Sequence, residues 1–268
     1  MSENAQPADE LLDLALDLRR WVQVHQADHA RLRPAADESV PEPESSPGPE
    51  PSPLEVEEDL ATVNEALPTI SSLGELGESL ADCRLCTLHS ERTQVVFGCG
   101  SHSAEIVLVG EGPGRHEDLQ GEPFVGEAGM LLDRILAGVL GLQRSDVYIA
   151  NVVKCRPPGN REPLPDEVST CSPFLWQQLD FLKPVLVIAL GPFAAQTLLQ
   201  TSEGIGPLRG RVHPLGDSAL LATYHPADLL RNPSDKRKVF EDMKLVRQVF
   251  QERTGRELPQ PEPRGVRS

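Results

Sequence analysis

From residue 106 onward, short apolar runs alternate with longer segments whose apolar residues recur at helical spacing. Ile106–Gly110 (IVLVG), Val147–Val153 (VYIANVV), Pro184–Gly191 (PVLVIALG) and Ala219–Tyr224 (ALLATY) are the predicted strands. Ala128–Leu142, Pro165–Leu182, Pro192–Leu199 and Lys236–Arg253 are the predicted helices. An apolar run without polar alternation suits a strand covered on both faces, and strands alternating with helices of this length imply βαβ units. The expected fold is therefore α/β, a three-layer α/β/α sandwich around a central, mainly parallel four-stranded sheet. Folds of this kind bind ligands at the carboxyl ends of their strands.

Before residue 73 the pattern is different. Leu11, Leu14, Leu18 and Val22 stand at helical spacing within residues 8–33. They predict an N-terminal amphipathic helix in residues 1–33, either a docking or capping helix or one that binds a protein partner. Residues 34–72 follow, with six prolines from Pro41 to Pro53 set among Glu and Ser. Such a composition cannot bury a core and predicts a disordered acidic linker. The folded domain is expected to span residues 73–253, and residues 254–268 to form a disordered tail.

Charge sharpens this division. The chain has 268 residues and a formal net charge of −16. Residues 1–80 hold 18 acidic and 4 basic side chains, net −14, which leaves net −2 for residues 81–268. The acidity thus belongs to the appendage and does not exclude nucleic-acid binding by the domain. No apolar run is long enough to span a membrane, and the N-terminus has no basic region leading into an apolar stretch. A cytoplasmic monomer is the expectation, and an odd count of five cysteines suits a reducing compartment.

Cys83 and Cys86 form a C-x2-C pair; 15 residues separate Cys155 from Cys171, and 68 residues separate the two pairs. Four thiolates so arranged can hold one ion or cluster, and spacing alone leaves zinc and iron–sulfur equally open. Packing as small buried hydrophobes is the other fate of such residues. Cys99 has no partner at ligand spacing and reads as a bystander.

Polar loops follow each predicted strand. GEGPGRHED (Gly110–Asp118) is glycine-rich, but Pro113 interrupts the dinucleotide pattern, and Glu111, Glu117 and Asp118 would repel a pyrophosphate. The acids suit stabilisation of positive charge or activation of water. Phe124, held between Pro123 and Gly126, can stack on a planar ligand or simply pack in the core. Asn151 ends an apolar strand, where its amide can read a base edge or cap the strand. The rigid turn Pro157–Gly159 carries Asn160 and Arg161. His225, between a strand and Pro226, is held in a stiff loop with Arg231 and Asn232 beyond it. Arg209 and Arg211 add positive charge nearby.

GEGPGRHEDLQGEPFVGEAGMLLDRIL, NVVKCRPPGNREP, ALGPFAAQTLL and TYHPADLLRNP, in this order, resemble the family 4 uracil-DNA glycosylases over about Cys83 to Val246. That family holds a 4Fe–4S cluster on four cysteines spaced as here, so the resemblance assigns Cys83, Cys86, Cys155 and Cys171 to the cluster. It implies an enzyme that flips deoxyuridine out of DNA and hydrolyses the N-glycosidic bond, leaving an abasic site for base-excision repair. Gly112, Phe124, Asn151 and Asn160 become the substrate-binding set, with Phe124 stacking on uracil and Asn151 bonding its polar edge. His225 becomes the donor to the departing base. Glu111 or Glu117 supplies the catalytic carboxylate, with Asn160 orienting Glu117. Arg209 and Arg231 become DNA contacts. Related families place an Asp or Asn at the position of Gly112, so water must be held here by another group.

Two rivals follow. One is a non-catalytic iron–sulfur module that binds DNA or a replication partner, which would need no acid cluster beside a base pocket. The other is a glycosylase branch of broader base specificity, against which Glu111 argues.

Overall fold

The computed structural model describes residues 70–261. The helix predicted within 1–33, and all but the last residues of the 34–72 linker, lie outside the described residues.

Four aliphatic strands form the centre of the sheet: β2 (Ile106–Gly110), β3 (Tyr148–Asn151), β4 (Leu186–Leu190) and β6 (Ser218–Thr223). All four run parallel, in the order β3-β2-β4-β6. Two short antiparallel strands extend the edges, β1 (Cys99–Gly100) beside β3 and β5 (Val212–Leu215) beside β6, making six strands. The expectation of four strands describes the core; the edges escaped because β1 is two residues long and β5 contains Pro214, tolerated only where no inner ladder needs its N–H.

Successive strand residues face opposite layers. Val107 and Val109 belong to one core cluster, Ile106 and Leu108 to the other. The first layer is built by α1 (Leu73–Leu80), α4 (Pro165–Leu182) and α5 (Pro192–Leu199), through residues such as Leu76, Phe174, Leu175 and Ala195. The second is built by α3 (Glu127–Ile135), which runs into a π-helical turn at Leu136–Leu140, and by α8 (Lys236–Thr254), through Leu132, Met243, Val246 and Phe250. The shorter α2 (Arg115–Gln120), α6 (Ile205–Leu208) and α7 (Pro226–Arg231) complete the described helices. This is the expected three-layer sandwich.

Fraying does not begin at Thr254. Leu258 is buried in the second core cluster, and Arg247 of α8 donates to the carbonyls of Leu258 and Pro259, both at 2.8 Å. One leucine at the right distance past the helix end is enough to fold residues 255–261 back.

The chain passes from β2 to β3 on one side, then crosses to β4 on the other. Strand order switches beside β2, which opens a crevice at its carboxyl end. The loops after β2, β3, β4 and β6 all empty into it. Among the described residues no helix is long and apolar enough to cross a membrane.

Candidate active site

That crevice is a cleft of about 430 Å³ whose walls include Glu111, Gly112, Glu117, Phe124, Asn151, Asn160, His225 and Arg231. Eight of the nine residues assigned to catalysis, substrate or DNA therefore meet in one place.

Asn151, the last residue of β3, pairs with Gly110 across the ladder and is 2 % exposed. Its Oδ1 is buried without a hydrogen-bond partner among the described residues. A lost partner for a buried polar atom costs about 1–3 kcal/mol, so an orphan facing a cleft marks a ligand position. The amide and the Phe124 ring close over Gly110: a Cβ there would stand 2.5 Å from Asn151 Oδ1 and 2.7 Å from Phe124 Cζ. Only glycine allows that approach.

Phe124 adopts φ +55°, a left-handed conformation that costs a non-glycine residue about 1 kcal/mol or more. Its ring lies 5.3 Å from that of His225, tilted by 31°. Arg144 holds the strained backbone: one Nη donates to the Phe124 carbonyl at 3.0 Å and to Asp133 at 3.0 Å, the other to the Pro123 carbonyl at 2.5 Å. Sequence reasoning missed Arg144, because its partners lie 11 to 21 residues away and no motif contains it.

His225 caps α7, with Nδ1 accepting the Ala227 N–H at 3.1 Å. The proton of the neutral ring therefore sits on Nε2, where it can be donated. Burial pushes the imidazole down to about 4; Asp228 and Glu117 raise it and Arg231 lowers it further. The group is a neutral donor at physiological pH.

The two carboxylates differ. Glu117 Oε1 accepts the amides of Val125 and Gly126 at 3.0 and 3.1 Å and so pins the Phe124 loop to α2. Glu111 is half-buried, and no hydrogen bond among the described residues ties its carboxylate down. Burial raises its pKa, and the neighbouring Glu162 and Asp228 raise it further. Gly112 packs against β3's exit: a Cβ there would stand 2.7 Å from Val153 Cγ2, so no Asp or Asn fits at this position without displacing that valine.

Two expectations need correction. Asn160 lines the cleft at φ +56°, but its Oδ1 accepts from Arg156 Nε at 2.6 Å, and Glu117 is oriented by main-chain amides instead. Arg209 is not at the cleft. Its guanidinium grips buried Asp242 at 2.6 and 3.1 Å and the Lys238 carbonyl at 2.8 Å, while Asp242 also accepts from Thr223 Oγ1 at 2.6 Å. That network fastens the end of β6 to α8 and is structural. Arg161 lines the cleft, yet its fork is spent on Glu167, at 2.7 and 2.8 Å. Arg231 is 70 % exposed at the mouth of the cleft, where it pairs with Asp228.

On the far side of β3's exit, Cys83, Cys86, Cys155 and Cys171 line one cavity with Leu80, Leu85, Val95 and Phe174. They surround it rather than converge: among the described residues no three or more His, Cys, Asp and Glu side chains are arranged to hold a single metal ion. Arg92 donates to Cys155 Sγ at 3.2 Å, and the Lys154 amide to Cys171 Sγ at 3.3 Å. Burial lifts all four thiols, Cys155 to about 11 and Cys171 to about 12, so without a cation they stay protonated. An all-sulfur donor set, apolar walls and N–H groups aimed at sulfur fit a thiolate-held iron–sulfur group. Cys99 stands elsewhere, 3.6 Å from Arg144.

The fold is an open α/β sheet with its cleft at the carboxyl ends of the strands, and comparison with known proteins gives its family. The profile of the Uracil DNA glycosylase superfamily matches residues 97–244. The type-4 uracil-DNA glycosylase of Archaeoglobus fulgidus is 43 % identical over 185 residues, 66 % of this chain and 92 % of that one. The type-4 uracil-DNA glycosylase of Thermotoga maritima is 44 % identical over 176 residues, 64 % of this chain and 91 % of that one. The type-5 uracil-DNA glycosylase of Pyrobaculum aerophilum is more distant, 31 % identical over 146 residues, 48 % of this chain and 64 % of that one. The chain belongs to the uracil DNA glycosylase superfamily, in its type-4 branch.

Proposed function

We propose that this protein removes uracil from DNA by hydrolysing the N-glycosidic bond of a flipped deoxyuridine. The observation that carries this is Asn151 Oδ1, buried without a partner among the described residues and set against the Phe124 ring and a neutral His225 in a cleft of about 430 Å³. Phe124 stacks on the base. Asn151 pairs with the uracil edge, where cytosine would offer a donor in place of an acceptor and leave a buried group unpaired. As the bond to C1′ breaks, its electron pair leaves with the base, and His225 Nε2–H donates to the carbonyl that gathers the negative charge. Positive charge grows on the sugar, and Glu111, the untethered carboxylate, stabilises it and takes the proton of the water that adds to C1′. Arg231 meets a flanking phosphate.

The same reading places a 4Fe–4S cluster on Cys83, Cys86, Cys155 and Cys171, where a cavity rather than a point is lined by sulfur. Bound there it would supply cohesion, with the four thiolates joining the Cys83–Cys86 loop to β3's exit and α4.

Oligonucleotides carrying one uracil, single- or double-stranded, test the activity by alkali-induced scission after incubation. Folded, brown wild type is expected to give scission at the uracil, and loss of it in both Asn151→Ala and His225→Ala. Intact strands with the wild type would reject the reading.

A further inference from the structure

Lys154 bonds a sulfur of the cysteine cavity through its main chain and the end of the base-reading strand through its side chain. Lys154 is 2 % exposed and lines the cavity, and its main-chain amide bonds Cys171 Sγ at 3.3 Å. Its side chain turns the other way. Nζ donates to the Asn151 carbonyl at 2.8 Å and to Gln178 Oε1 at 2.5 Å. Gln178, fully buried in α4, uses its amide NH2 on the Phe97 carbonyl at 3.0 Å and the Tyr148 hydroxyl at 3.2 Å. The Lys154 carbonyl accepts from Val96 at 2.8 Å. Lys154 thus bonds through main chain and side chain alike, and a buried network so filled has one arrangement.

We propose that Lys154, seated on Gln178, is a positioning residue that ties the cysteine cavity to Asn151 and so sets the angle at which the Asn151 amide meets the base. The inference rests on the reading of Asn151 as the base-reading group and of the cavity as the metal centre. Asn151 is where β3 leaves the sheet; beyond it, Val152 and Val153 still bond the main chain of Gly110 and Glu111, at 2.9 and 3.1 Å. The carbonyl of Asn151 is held by the lysine. Freed, it leaves the peptide after Asn151 held on its N–H side alone, by Gly110, and the peptide tilts about that bond and shifts the amide. A recognition group must be held within roughly 0.5 Å of its working position, so a small swing registers as lost affinity. What fills the cavity fixes Cys155 and Cys171, the residues either side of this hinge in space, and through Lys154 that fixity reaches the cleft.

The test uses metal-loaded Lys154→Met and Gln178→Leu, each with the same visible absorbance per chain as wild type. Affinity is measured for a duplex carrying non-hydrolysable 2′-fluorodeoxyuridine and for the same duplex with an abasic analogue. The ratio of the two reports base reading alone. It should fall about tenfold in each variant, the effect of one misplaced buried hydrogen bond, with abasic affinity within about twofold of wild type. A ratio unchanged in both loaded variants overturns the proposal, since a merely structural lysine would move stability and leave the ratio alone. If Lys154→Met fails to load or fold, Gln178→Leu decides, because it keeps the lysine and removes its seat, together with the Gln178 bonds to the Phe97 carbonyl and the Tyr148 hydroxyl. Asn151→Ala separates the layers. An unchanged ratio there defeats the base-reading role, and this inference with it; a lowered ratio there with an unchanged one in the Lys154 and Gln178 variants defeats this inference only.

Discussion

The cleft and the cysteine cavity flank the same strand end and are built on opposite principles. The cleft keeps polar atoms unspent: among the described residues Asn151 Oδ1 has no partner and Glu111 is untethered, and Phe124 sits in a left-handed conformation. Around the cavity the polar groups are engaged. Two of its four sulfurs accept an N–H, and buried Glu167 is bonded four ways, by Arg161, by the Leu164 amide and by Thr87, next to Cys86. One region stores free energy for a ligand, and the other spends it on stability. The comparison teaches that substitutions in the cleft should cost activity more than stability, and substitutions around the cavity, Lys154 and its seat Gln178 apart, the reverse.

The largest break in that comparison is at His225. His225→Ala should slow excision about 10³-fold, the scale for losing a donor to a developing anion. Its stability cost is about 1 kcal/mol, because the Ala227 N–H loses its cap. Single-turnover rates and urea unfolding on one preparation check both.

Next comes the pair of acids. Glu111→Gln should slow excision about 10²-fold at unchanged stability. In wild type the rate should climb with pH through a carboxylate pKa above the ordinary range, since burial and its acidic neighbours raise Glu111. It should show no histidine titration near pH 6–7, because His225 is already neutral above about 4. Glu117→Gln leaves the profile in place.

On the cavity side, Glu167→Gln should cost about 3 kcal/mol, as loss of one partner of a buried pair does, with the excision rate of the folded fraction preserved. Arg161, the Leu164 amide and Thr87 pull the Glu167 pKa down to about 2 against the opposing effect of burial. Its folded pKa lies below the unfolded value of 4.5, so its stabilisation is complete above pH 4.5 and is lost as pH falls toward 2. Wild type should lose stability steeply across that window and the variant less so. The smallest effect is at Cys99, where Ser should change stability by under about 0.5 kcal/mol and leave excision untouched.

Much of this was legible in the chain. Four strands declared themselves because a parallel strand buried on both faces is an aliphatic run that Gly or Pro closes, as in PVLVIALG. The loops carrying Glu111, Asn151 and His225 were legible because each follows such a run. What stayed hidden depends on partners far along the chain. Arg209 looked like a DNA contact beside Arg211, but Asp242, 33 residues on, claims it. Lys154 and Gln178 meet across 24 residues, Thr87 and Glu167 across 80, and Arg144 reaches Phe124 across 20. No spacing rule announces such pairs. The choice between Glu111 and Glu117 was equally closed to the sequence, since it turns on which of them meets two backbone amides.

The central claim is that Asn151 reads the base in a cleft whose stability is secured elsewhere. The direct measurement is single-turnover excision of uracil from a single-stranded oligonucleotide by metal-loaded Asn151→Ala, whose thermal unfolding is first shown to match wild type. Excision slowed about 10²-fold or more is the predicted result, because a single strand removes the cost of unpairing and leaves base reading as the difference. A wild-type rate in that variant would contradict the account.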